Sequence, residues 1–249
     1  MIKLDFDKKI DEFQKLIDKA KYIVFFGGAG VSTESGIPDF RSIDGLYNNR
    51  GVEFQKYQPE YLLSHSCLVN EPNVFYEFFR QKLDARKVKP NITHYKLKEI
   101  EDEHNLKAII TQNIDGLHTL AGSTNVYEIH GTTKEAYCYR CGKSYSSDIL
   151  FSDYMDYPKC DCGGMIRPNV TLYEESLPED AWNKAIDAIE NADLLIIGGT
   201  SLTVYPASSL IRYFKGKDIV IINKDKTIED EFATIVFHNS IGEVFEKIK

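Results

Sequence analysis

Tyr22-Ile23-Val24-Phe25-Phe26-Gly27-Gly28-Ala29-Gly30 is the stretch from which the fold is read. An apolar run stopped by glycines suits a short strand with both faces buried. The pattern returns at Lys107-Ala108-Ile109-Ile110, Val126-Tyr127-Glu128-Ile129, Leu194-Leu195-Ile196-Ile197 and Ile219-Val220-Ile221-Ile222, with a sixth candidate at Thr234-Ile235-Val236-Phe237. Helical periodicity fills the intervals. Phe6, Ile10, Phe13, Leu16 and Ile17 share one face, as do Ala181, Trp182, Ala185, Ile186 and Ile189. Further helices are expected over about residues 93–104, after Pro206, and around Ile241, Val244, Phe245 and Ile248. Buried strands alternating with helices predict an α/β fold with a doubly wound, Rossmann-like parallel sheet.

Two stretches break the alternation. Residues 42–90 are aromatic-rich and helical, with Val74, Phe75, Phe78, Phe79 and Leu83, and residues 133–166 hold four of the five cysteines. The expected organisation is a Rossmann-like domain built from residues 1–41, 91–132 and 167–249. The helical insert 42–90 and a zinc-binding insert 133–166 then form a smaller domain. Ligands of such sheets bind beyond the carboxyl ends of the strands. That rule gathers residues 27–30, 111–115, 130–131, 198–201 and Asn223 around one crevice.

The 249 residues carry 30 Lys and Arg against 38 Asp and Glu, a formal charge of −8, which gives no electrostatic footprint for nucleic acid. The first residues lack the apolar core of a secretory signal, and no uncharged apolar run approaches the roughly 18 residues of a membrane span. A cytoplasmic protein without membrane association is expected. In that reducing compartment clustered cysteines point to metal. Cys138-x-x-Cys141 and Cys160-x-Cys162 are separated by 18 residues. Four thiolates make a closed tetrahedral zinc site, structural rather than catalytic. A redox dithiol is the rival. The second pair has one intervening residue where two are commoner, a tight turn that Gly163-Gly164 would ease. Cys67 is isolated and reads as packing.

The glycine loop departs from G-x-G-x-x-G, because Thr33 stands where the third glycine belongs. By itself it leaves nucleotide binding and an ordinary tight turn both open. The continuation, Gly28-Ala29-Gly30-Val31-Ser32-Thr33-Glu34-Ser35-Gly36-Ile37-Pro38-Asp39-Phe40-Arg41, resembles the signature of the sirtuin family, of the bacterial type with a single catalytic core. The resemblance continues at Thr111-Gln112-Asn113-Ile114-Asp115-Gly116-Leu117-His118, at Glu128-Ile129-His130-Gly131, at Gly199-Thr200-Ser201-Leu202 and at the cysteines.

That resemblance implies NAD-dependent removal of acetyl groups from the lysines of proteins or peptides, with nicotinamide and O-acetyl-ADP-ribose as products and NAD as co-substrate. His130 would be the general base, since an imidazole titrates near neutrality. Asn113 would hold the nicotinamide ribose or an ordered water, Asp115 would accept from the carboxamide, and Gln112 would orient ribose hydroxyls. Gly28, Ala29, Gly30 and Ser32 would cradle the cofactor. Asp39, Phe40 and Arg41 would lie on a loop over it, Phe40 shielding the reactive carbon and Arg41 reaching phosphate. Gly199, Thr200, Ser201 and Asn223 would hold the adenosine side. Read without the resemblance, Asn113 and Asp115 are good helix caps and Phe40 a core residue.

Val170, Thr171, Leu172 and Tyr173 resemble the family's substrate strand, to which a peptide adds through backbone bonds. Two residues depart from the family pattern: Glu174 stands where glycine is usual, and Gly27 replaces a common threonine. Members that remove acidic acyl groups carry a Tyr and an Arg where this chain has Tyr76 and Phe79, so a neutral acyl group is expected. The alternatives are a protein mono-ADP-ribosyltransferase and a non-catalytic module that senses NAD or acyl-lysine. His65, His94, His104, His118 and His238 read as packing or surface residues.

Overall fold

The protein is described by a computed structural model covering residues 5–40, 42, 45–49, 51–152 and 156–249. Asp5 accepts from the N–H of Phe6 and opens helix α1 (Phe6–Lys19), which buries Ile10, Phe13 and Ile17. The later helices are α2 (His65–Asn70), α3 (Pro72–Lys82), α4 (Ile92–Glu103), α5 (Leu117–Leu120), α6 (Glu179–Asn191) and α7 (Ile241–Phe245). The strands are β1 (Ile23–Gly27), β2 (Leu106–Thr111), β3 (Val126–Glu128), β4 (Gly131–Cys138), β5 (Ser144–Ser146), β6 (Ile166–Val170), β7 (Leu194–Gly198), β8 (Asp218–Ile222) and β9 (Ile235–Phe237).

The six expected strands form one parallel sheet in the order β3-β2-β1-β7-β8-β9. Successive residues of a strand point to opposite faces. Ile23 and Phe25 therefore pack under α1, α4 and α7, while Val24 and Phe26 pack under α6 and the segment Ala207–Tyr213. The chain winds outward from β1 in one direction and from β7 in the other. This reversal opens a crevice at the carboxyl ends of β1 and β7.

One expected helix takes another form. The segment after Pro206 is a 3-10 helix, Ala207–Tyr213, in which the Ser209 hydroxyl donates back to the Pro206 carbonyl. After the glycine loop the chain makes only two 3-10 turns, Ala29–Val31 and Thr33–Ser35. Gly36 at φ +88° and Pro38 prevent a longer helix there.

The second sheet is antiparallel, in the order β5-β4-β6. Its inner face shares one core with α2 and α3: Phe75, Tyr76, Phe78 and Phe79 pack with Cys138, Ile166 and Val170. The two inserts thus bury each other, which neither could do alone. The β4–β6 ladder pairs Gly131 with Val170, so this sheet reaches past the expected limits at 133 and 166. Among the described residues no helix is long and apolar enough to cross a membrane.

Candidate active site

The glycines after β1 are fixed by protein as much as by any ligand. Gly28 N–H donates to the Gly198 carbonyl and Gly30 N–H to that of Gly199. A Cβ on Gly30 would sit 2.7 Å from Gly199 Cα, and one on Gly199 would sit 2.5 Å from the N of Val31. Backbone meets backbone where the β1 and β7 loops cross. The edge of this contact opens into a cavity of about 850 Å³ at the carboxyl end of the sheet.

Most expected site residues line that cavity: Gly28, Ala29 and Gly30, then Asp39 and Phe40, Gln112 and Asn113, His130, the segment Val170–Tyr173 that begins at the end of β6, the turn Gly199–Ser201, and Asn223. Arg41 lies outside the described residues. Two others stand one layer behind the wall. Ser32 is 1% exposed and donates to Asp115 Oδ2 at 2.7 Å, while Asn113 Nδ2 donates to the Ser32 hydroxyl at 3.0 Å. Asp115 Oδ1 accepts from Leu117 N–H. Asp115 therefore braces Asn113 through Ser32, and burial raises its pKa.

His130 occupies the turn between β3 and β4. Its Nδ1 lies 2.9 Å from the Gln112 carbonyl oxygen. A carbonyl only accepts, so Nδ1 carries the hydrogen and Nε2 is the basic nitrogen. Burial lowers the pKa of His130 below its ordinary 6.5 and outweighs the Gln112 bond, which raises it. The ring is a neutral base at neutral pH. Glu128, nearby on β3, is raised to about 7 by burial and then by the charge of Asp115.

Tyr76 and Phe79 are not among the cavity-lining residues. Both are fully buried: Tyr76 donates to the Ile166 carbonyl, and Phe79 stacks on Phe75 and Phe151. Periodicity does not tell which face of α3 meets the crevice and which the second sheet. Near the substrate strand the cavity is lined instead by Phe40, Tyr47, Leu63, Leu83 and Ile114, and the Tyr47 and Tyr173 hydroxyls meet at 2.8 Å. Tyr47, Leu63 and Leu83 had no sequence signal, because they come from the helical insert. Asn239 and Ser240 also line the cavity and were legible in principle, since they follow β9.

The four cysteines converge. Their sulfurs lie within 4.8 Å of one another, with Cys138–Cys162 at 3.5 Å and Cys141–Cys160 at 3.7 Å. A tetrahedral zinc with bonds of about 2.3 Å separates its sulfurs by roughly 3.8 Å. The donor set therefore fits zinc and leaves no open position. A Cβ on Gly164 would lie 2.8 Å from Cys138 Sγ, so glycine there lets the turn of the second pair approach the first.

A model of the Sir2 family matches residues 28–206. The chain is 51% identical over 241 residues to a protein of Clostridium acetobutylicum named NAD-dependent protein deacetylase, covering 96% of this chain and 98% of that one. A Sir2 structure with deacetylated p53 peptide and 3'-O-acetyl-ADP-ribose superposes with a TM-score of 0.86 at 35% identity, covering 96% of each chain. A Sir2 structure with a propionylated peptide gives a TM-score of 0.84 at 35% identity, again over 96% of each chain.

Proposed function

This chain belongs to the Sir2 family, and from that premise we propose that it removes acetyl and other neutral acyl groups from protein lysines at the expense of NAD. The products would be nicotinamide and O-acetyl-ADP-ribose. The observation that carries the reading is one cavity joining the glycine loop to the substrate strand, with His130 between them and its Nε2 unengaged by Gln112.

NAD supplies an electrophilic ribose carbon with nicotinamide as leaving group. The residues of the chain do the rest. Gly28–Gly30 and Gly199–Ser201 hold the nucleotide, with Asn223 on the adenosine side. Gln112 and Asn113 orient the ribose, and Phe40 keeps water from the reacting centre. His130 Nε2 takes the proton of a ribose hydroxyl. Val170–Tyr173 pairs with the backbone of the acylated peptide. Zinc on Cys138, Cys141, Cys160 and Cys162 holds the smaller unit, which we take as residues 42–90 with 133–166, against a Rossmann-like unit of residues 1–41, 91–132 and 167–249. The proposal places the enzyme in the cytoplasm, where reducing conditions keep these thiols free to bind metal.

A mono-ADP-ribosyltransferase is not favoured, because a base aimed into an acyl cavity has no task in that reaction. The test is a product assay with NAD and an acetyl-lysine peptide. Stoichiometric nicotinamide, deacetylated peptide and O-acetyl-ADP-ribose are expected; ADP-ribosylated protein instead would establish the transferase.

A further inference from the structure

Glu174 has a backbone conformation that disfavours its own side chain. Its φ is +76°, in the region that favours glycine. The carboxylate offsets this strain. Glu174 Oε2 accepts from Ser66 N–H at 2.9 Å and from the Ser66 hydroxyl at 2.6 Å. Tyr173 N–H donates to Leu63, His65 N–H donates to Tyr173, and His65 Nδ1 lies 2.9 Å from Glu175 Oε1. This seam fastens residues 173–175 to the start of α2 and fixes where the Glu174 carboxylate stands.

A second cavity, of about 520 Å³, shares Val170, Thr171, Glu174 and Glu175 with the first. Tyr137 and Tyr139 form part of its wall, and both rings face the Arg167 guanidinium, at 5.6 and 5.7 Å. Arg167 is itself 3% exposed and doubly bonded to Glu175, so those two charges cancel. Glu174 is left with the uncompensated charge of this wall. Its partners are the neutral donors of Ser66, which hold its carboxyl in the ionised form. Among the described residues Glu174 Oε1 has no hydrogen-bond partner.

We propose that the second cavity receives the side chain of a substrate residue next to the acyl-lysine, and that Glu174 selects a basic residue there and rejects an acidic one. The inference rests on the deacetylase reading. The cavity continues from the substrate strand, so a peptide paired with Val170–Tyr173 has a neighbouring side chain within its reach. A lysine or arginine stem packs on tyrosine rings, and its head meets the carboxylate. An exposed ion pair of this kind changes kcat/KM by about two- to fivefold. Repulsion of an acidic residue is of similar size, so a lysine-to-glutamate contrast of roughly tenfold is expected.

The experiment measures kcat/KM for acetyl-lysine peptides that differ only in carrying Lys, Gln or Glu at each of the two positions on either side. The wild-type enzyme should prefer Lys over Glu at one of them, and less so in 0.5 M salt as screening grows. Glu174→Gln should bring the ratio near one, and Glu174→Lys should invert it. The ratio compares two peptides in one enzyme, so a general loss of activity cancels. An unchanged ratio in Glu174→Gln, or no charge preference in a wild-type enzyme that processes the Gln peptide, overturns the inference. No turnover of the Gln peptide overturns the deacetylase reading itself.

Discussion

In the proposed reaction the chemistry at His130 depends on which ring nitrogen is free. The Gln112 carbonyl engages Nδ1 at 2.9 Å and leaves Nε2 as the basic nitrogen of a ring that lines the cavity. His130→Ala should leave NAD binding by calorimetry largely intact while lowering the deacetylation kcat by about 10²-fold or more. Near-wild-type turnover would remove His130 from the mechanism. The lowered pKa carries its own expectation. The proposed base works unprotonated, so activity should be lost as pH falls through the His130 pKa, and the acid limb of kcat/KM should have its midpoint below 6.5. A midpoint above 6.5 would mean that burial does not control this ring.

Strand β3 carries a charge that folding disfavours. Glu128 ionises near 4.5 in the unfolded chain and at about 7 in the fold. A raised carboxyl pKa means that the folded state binds the proton more tightly. The penalty is therefore absent below pH 4.5, grows between 4.5 and 7, and is complete above 7. Glu128 is only half-buried, which limits the penalty to about 1 kcal/mol. Glu128→Gln should raise Tm by roughly 2–4 °C at pH 8 and by little at pH 5. Equal shifts at both pH values would show that packing, not charge, is responsible. The second sheet is expected to depend on metal instead. Cys138 ends β4 and Cys160 precedes β6, so a zinc held there would tie the strands that carry the aromatic core. One zinc per chain is expected by metal analysis. Cys138→Ser or chelation should release it and lower Tm by several degrees, because metal binding supplies folding free energy. Retention of full stability without zinc would leave the cluster without its structural role.

Across the whole molecule the acyl choice follows from what surrounds the cavity. Among its described lining residues Lys224, after β8, is the only Lys or Arg, whereas Tyr47, Leu63 and Leu83 are apolar or neutral. A carboxylate carried there on a succinyl group would lose solvent without gaining a described cation. Acetyl-lysine peptide should exceed succinyl-lysine peptide in kcat/KM by at least tenfold, and parity would point to a cation reaching the site. Phe79→Arg is not a route to desuccinylation, because its ring is in a sealed aromatic stack. The substitution should cost several kcal/mol and lower Tm sharply by calorimetry.

The sequence by itself determined the six parallel strands, the crevice at their carboxyl ends and the four-cysteine centre. These rest on local signals: apolar runs, glycines at strand ends and cysteine spacing. His130, Asn113 and the glycine loop were legible because strand ends converge wherever a parallel sheet reverses its winding. Tertiary structure alone decided which side chains of the inserts face the cavity. It turned Tyr76 and Phe79 into the core, brought Tyr47 and Leu83 to the wall, and set Asp115 and Ser32 behind it. It also showed why a glutamate can hold a position that favours glycine: Ser66, more than a hundred residues earlier in the chain, holds its carboxylate. Packing between distant segments has no period in the sequence, so those assignments exist only once the two units are folded together.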